Sequence, residues 1–166
     1  MAGLAEIINV LTGSNLTPKD INDMKSNFAQ GKDLIDYTAV GKNYDLAHDY
    51  WTKEVQGDLS NKIDELNKSS TQYAILAEVY YSQGHTHWVG IDGGVVVRDD
   101  GKNYVAISAT SINDKTLAGG RSSVGWIKED DKIYVPTEDV KTLQQYSNPN
   151  AVSNSGKEDA SASKNQ

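Results

Sequence analysis

The spacing of apolar residues changes period near Ser69-Ser70, and that change divides the chain into a helix-forming and a strand-forming part. In Leu4-Ala5-Glu6-Ile7-Ile8-Asn9-Val10-Leu11, the residues Leu4, Ile7, Ile8 and Leu11 share one helical face. Gly13 follows as a C′ stop. Thr17-Pro18-Lys19-Asp20 reads as a helix start, with Thr17 as cap, Pro18 in the first turn and Asp20 returning to the cap. Ile21, Met24 and Phe28 repeat at helical spacing before Gly31. Residues 33 to 57 are less periodic, and there Leu46, Tyr50 and Trp51 predict a short helix face. Asp58 or Ser60 opens a further helix that buries Ile63 and Leu66.

Beyond Ser70 the residues favour strands. Tyr73 to Tyr81 is rich in β-branched and aromatic side chains, and His87 to Val97 continues in the same way. Asp100-Gly101 suits a two-residue hairpin turn before a return strand from Tyr104 to Thr110. Val124 to Ile127 and Lys132 to Val135 read as another pair across an acidic turn. Thr137 is expected to cap a short final helix with Val140 and Leu143 inward. From Ser147 the chain is dominated by Ser, Asn, Gly, Lys and Glu, which cannot bury enough apolar surface to fold. The reading is one α+β domain over residues 1–146, with N-terminal helices packed on a C-terminal antiparallel sheet, and a disordered polar tail over 147–166.

Composition narrows the function classes. With 16 Lys and Arg against 23 Asp and Glu, the chain carries a formal charge of −7. No basic cluster is present, which argues against a nucleic-acid partner. No apolar run approaches the ~20 residues that span a bilayer, and no signal peptide is visible. The absence of cysteine excludes disulfides and thiolate metal sites. Nine Tyr and three Trp against one Phe suggest aromatics at half-wet positions such as a cleft rim.

Chemistry concentrates in Gly84-His85-Thr86-His87-Trp88-Val89. An imidazole titrates near pH ~6.5, which suits His87 to general acid–base work; the plainer alternative is a strand histidine bonded to backbone. His85 and His87 alternate along a strand and so can share a face toward a metal. A third ligand would be Asp92, Asp114 or His48, and no spacing recommends any of them, so no metal is expected. If Asp100-Gly101 is a two-residue turn, Asp114 falls opposite His87 and can orient the imidazole. A bulge at Gly93-Gly94 would shift that register, which leaves Asn113 and Ser108 as alternates. Trp88, Trp126, Tyr80 and Tyr81 are candidates either for a substrate groove or for core packing. Gly119-Gly120-Arg121-Ser122-Ser123 lacks the phosphate-loop spacing, and no Gly-x-Ser-x-Gly elbow is present.

In order, the short first helix, Gly13, Thr17-Pro18, the helix with Ile63 and Leu66, the strand Tyr73 to Tyr81 and His87-Trp88-Val89 resemble the papain-like cysteine peptidase superfamily, specifically its C39-like domains. The resemblance covers roughly residues 1 to 115. It implies a papain-like fold and cofactor-free hydrolysis of a peptide or amide bond by Cys-His-Asp chemistry. His87 matches the family's histidine and Asp114 is nearest to its acidic partner. The family's cysteine would stand at or before Ala2, and none is there. The resemblance therefore implies a peptidase-like domain without its nucleophile, inactive as given, with peptide or peptidoglycan-like substrates. The rival expectation is a non-enzymatic peptide- or glycan-binding accessory module of a phage or cell envelope.

Overall fold

A computed structural model describes residues 2–24, 29–30, 34–82, 85–108, 125–129 and 131–150. Of the tail expected over 147–166, Ser147 ends a strand, and residues 151–166 lie outside the described residues, as do Phe28, Gly31 and the whole stretch 109–124.

The first helices form where their caps predict. Helix α1 (Ala2–Thr12) ends as Gly13 turns to φ +72° and its N–H bonds Asn9 O at 2.9 Å. Helix α2 (Pro18–Asp23) begins on a complete capping box but stops with Met24 as its C-cap, short of the Gly31 end expected from Ile21, Met24 and Phe28. Asp20 N donates to Thr17 Oγ1 at 3.1 Å, and Thr17 N donates to Asp20 Oδ2 at 2.8 Å. Those bonds hold the Asp20 carboxyl below its ordinary pKa. A two-stranded ribbon, β1 (Ala29–Gln30) and β2 (Leu34–Ile35), leads into α3 (Tyr37–Asn43). The segment expected to be helical through Leu46, Tyr50 and Trp51 is instead strand β3 (Ala47–Thr52), followed by the single turn α4 (Lys53–Gln56). Helix α5 (Ser60–Lys68) buries Ile63 and Leu66 as the spacing required.

The strands are β4 (Tyr73–Ser82), β5 (His85–Val97), β6 (Asn103–Ser108), β7 (Ile127–Glu129), β8 (Lys132–Pro136) and β9 (Val140–Ser147). With β3 they make a seven-stranded antiparallel sheet in the order β3-β9-β4-β5-β6-β8-β7. The expected final helix is corrected here. Thr137–Asp139 is one 3₁₀ turn, and Val140 onward is a strand between β3 and β4. Val140 and Leu143 fit either period. Ladders on both sides and burial of both faces favour the strand for residues such as Val140, Thr142 and Tyr146. The class is mixed helix and sheet, and the sheet draws one strand from the helical half.

Two cores lie on opposite faces of this sheet. Along β4, Ile75, Ala77 and Val79 join Leu59, Ile63 and Leu66 near α5, whereas Ala74 and Leu76 join Leu4, Ile7, Ile8 and Leu11 of α1 and Val40 of α3. Each fully buried Leu or Ile contributes about 1.5–3 kcal/mol relative to exposure.

Two irregularities set the β5–β6 register. Arg98 N donates to Lys102 O at 3.1 Å, and Gly101 N donates to Arg98 O at 2.9 Å. Gly101 has φ +78°, so the hairpin is a three-residue loop and not the two-residue turn expected at Asp100-Gly101. The pairing then shifts between Ile91 and Val95, at the anticipated Gly93-Gly94 bulge. There α5 docks closely: Val95 N donates to Asp64 Oδ1 at 3.2 Å, and a Cβ on Gly94 would lie 2.8 Å from Asn67 Nδ2.

Candidate functional site

The first candidate is His87. It pairs with Val79 across β4–β5 and stands two residues from Val89, and both valines belong to the α5-side core. Trp88 points the other way, 4.6 Å from the Tyr37 ring. Helix α1 lies on the Trp88 side, because Glu6 Oε1 occupies the space over Gly90, 2.7 Å from where a Cβ would be. Strand alternation therefore puts the exposed His87 on the face opposite α1. His87 and α1 thus lie on opposite faces of the sheet. His85 is exposed at the start of β5.

The proposed orienting partner also loses its geometric basis. A two-residue turn would make opposed residues sum to 201 and set Asp114 against His87. The observed pairs are Val96 with Tyr104 above the bulge and Ile91 with Ile107 below it, which is a different register. Asp114 and Asn113 lie outside the described residues. The other alternate, Ser108, is the last residue of β6 and pairs with Lys132. Trp126, a groove candidate, is instead in the core at 6 % exposure, where its indole N–H donates to Asp139 Oδ2 at 3.1 Å. Tyr81 lies in β4, and its side chain is outside the described set. Among the described residues, no group of three His, Asp or Glu side chains is arranged to hold a metal ion.

Tyr80 does line a groove. A cavity of about 340 Å³ opens between the end of β3, α4 and the start of β9. Thr52, Lys53, Tyr80, Glu138, Lys141 and Thr142 face it. Lys53 Nζ donates to Glu138 O at 2.6 Å, and Lys141 Nζ stands 3.9 Å from Glu78 Oε2. The groove therefore mixes both charge signs around a tyrosine. It abuts β3, which ends the sheet and carries Tyr50 at 58 % exposure.

A second polar centre joins α3 to β3 and β9. Asp36 caps α3 by accepting from Thr38 N at 3.0 Å and Ala39 N at 3.2 Å. The helix stops at Tyr44, Asp45 takes φ 57°, and Leu46 N donates back to Gly41 O at 2.8 Å. That tight reversal brings β3 under α3. His48 Nδ1 then lies 3.4 Å from Thr38 Oγ1, and its Nε2 lies 2.5 Å from Gln144 Oε1. An amide oxygen only accepts, so Nε2 carries a proton in this bond, and in the neutral imidazole Nδ1 faces the threonine as an acceptor. The ring rests 4.9 Å from that of Tyr146, whose hydroxyl donates to Tyr37 O at 2.9 Å. Burial, then Tyr37 and Asp36, push the Tyr146 hydroxyl well above its usual value, and burial with Glu78 does the same to Tyr37. Both hydroxyls stay protonated.

The sequence reading gave His48 only a minor place, as a possible metal ligand. The missed signal is the alternation of His48, Tyr50 and Thr52 against Trp51, which marks a two-faced strand. No described helix is long and apolar enough to cross a membrane. No family model, no curated protein and no solved structure matches this chain.

Proposed function

We propose that the chain is a binding module for an extended peptide, taken at the β3 edge and read by the groove beside it. The observation that carries this reading is the juxtaposition of β3, the end strand of the sheet among the described residues, with a cavity of about 340 Å³. An added strand gains main-chain hydrogen bonds from such an edge, and a side-chain pocket at its end supplies selectivity. Lys141 suits a ligand carboxylate, Glu54 and Glu138 a ligand cation, and Tyr80 an apolar stem. A peptide is favoured over a glycan because the edge offers backbone pairing, which sugars do not use. The thiol-hydrolase reading has its support in the order of sequence motifs; the placement of His87 opposite α1 weighs against it.

The test is fluorescence anisotropy with a panel of labelled unstructured peptides and oligosaccharides. Peptide binding is expected, with Lys141→Glu weakening it by about tenfold or more, near 1.4 kcal/mol. Binding of oligosaccharides alone, or peptide affinity indifferent to both Lys141→Glu and Tyr50→Ala, rejects the proposal. Cleavage of the peptides would instead favour the hydrolase reading.

A further inference from the structure

The Thr38–His48–Gln144 array has the order of parts that activates a hydroxyl: a nucleophile, a base beside it, and a third group that fixes the base. Its burial is graded in the sense such an array needs. Thr38 is exposed, His48 is half-buried and Gln144 is 8 % exposed. The Nε2–H bond to Gln144 Oε1 at 2.5 Å sets the tautomer, which leaves Nδ1 as a base 3.4 Å from Thr38 Oγ1. That separation is slightly longer than a formed hydrogen bond, as resting sites often are. The Tyr146 ring backs the imidazole at 4.9 Å, so the ring has little freedom to turn away. Gly41 makes the approach possible, since a Cβ there would lie 3.1 Å from His48 Cβ.

We propose that Thr38 is an activated hydroxyl that accepts an acyl or phosphonyl group from an activated electrophile. Thr38 Oγ1 attacks the acyl carbon, or the phosphorus of a phosphonyl group, while its proton passes to His48 Nδ1. The bond to the leaving group breaks, and the leaving group departs with that proton. The products are an ester on Thr38 and a free alcohol, or hydrogen fluoride from a fluorophosphonate. The reaction stops at this adduct. Asp36 already accepts from the Thr38 and Ala39 amides, so those N–H groups do not stabilise an oxyanion; a good leaving group drives the attack by Thr38, whereas the unactivated threonine ester that forms is not hydrolysed. A single modification without turnover is therefore the expected behaviour, and it is independent of peptide capture at the groove.

The full chain is incubated with an alkyl fluorophosphonate and with p-nitrophenyl acetate, and adducts are located by intact mass and peptide mapping. One fluorophosphonate adduct is expected, on Thr38. Thr38→Val, an exposed near-isostere, must abolish it. His48→Gln should slow it at least tenfold, Gln144→Leu should slow it several-fold, and Thr38→Ser should restore or speed it. A structural latch alone would change melting temperature but not this pattern. No adduct, adducts spread over other hydroxyls, or an unchanged rate in folded His48→Gln protein overturns the assignment.

Discussion

Replacing Gly41 by alanine sets two effects of known size against each other. Gly41 is a buried position of α3, where alanine normally gains up to about 1 kcal/mol over glycine in helix propensity. Here the new Cβ would meet Leu46 O at 3.0 Å and His48 Cβ at 3.1 Å, with Tyr146 Cε1 at 3.8 Å. Carbon contacts are comfortable at about 3.5–4.0 Å, so two of these are short by several tenths of an ångström. Neither neighbour can rotate away. One is a backbone carbonyl, and its residue is tied to Gly41 itself by the Leu46 N to Gly41 O bond at 2.8 Å. Overpacking of this kind costs about 1–3 kcal/mol. At the middle of the clash range the clash wins, and the net loss is about 1 kcal/mol. With a urea slope of about 2 kcal/mol/M for a small domain, the midpoint should fall by roughly 0.5 M. Pushing α3 off β3 should also lengthen the contact between Thr38 and His48 and slow modification of Thr38. A variant more stable than the parent would show that propensity dominates and that α3 does not pack this closely on the sheet.

Two further outcomes follow from hydrogen-bonded carboxylates. Burial raises the Asp58 pKa, but hydrogen bonds from the Ser60 side chain and backbone and from the Thr137 hydroxyl outweigh it and leave the carboxyl below its ordinary value. Its contribution is therefore full above the unfolded pKa of about 3.9 and is lost as pH falls through the folded value. Urea midpoints from about pH 6 to 2.5 should decline less steeply in Asp58→Asn; equal slopes in variant and parent would contradict the assignment. Trp126→Phe removes the N–H given to Asp139, a residue with 0 % exposure, and should cost about 1–3 kcal/mol by denaturant titration. A loss below about 0.5 kcal/mol would place Trp126 outside the core.

Much of the architecture was legible because it is local. Gly13, the Thr17–Asp20 box and the face of Ile63 and Leu66 are each set within a few residues, and all three form as the spacing says. The strands from Tyr73 to Val97 were legible for the same reason, being long and β-branched. Residues 46–51 and 140–147 were misread because their spacing satisfies two periods at once. Leu46, Tyr50 and Trp51 fit a helix face, and so do Val140 and Leu143. The sheet decides both together, since β9 is the strand against which β3 pairs, residue for residue from Ala47 with Ser147 to Thr52 with Thr142. Neither segment alone contains that information, so both errors have one cause.

The same distinction explains the site. His87 stood out because its neighbours form a familiar run, but a run does not state which sheet face a residue occupies. That is fixed by phase, and the phase is set by Val79 across the ladder and Glu6 over Gly90. Counting two by two from Val89, a buried valine, already puts His87 with the α5-side core, and the burial of Val89 becomes known only once the sheet exists. The register across β5–β6 failed in the same way, because a single residue more in the loop than Asp100-Gly101 alone would supply moves every opposed pair. His48 is the converse case. It sits in an unremarkable run, yet Thr38, ten residues earlier, and Gln144, 96 residues later, converge on its two nitrogens. A partner at that separation leaves no trace in local spacing. The chemistry of this chain should therefore be sought where the strand from the helical half enters the sheet, since there, among the described residues, distant segments bring a base, a hydroxyl and an orienting amide into line.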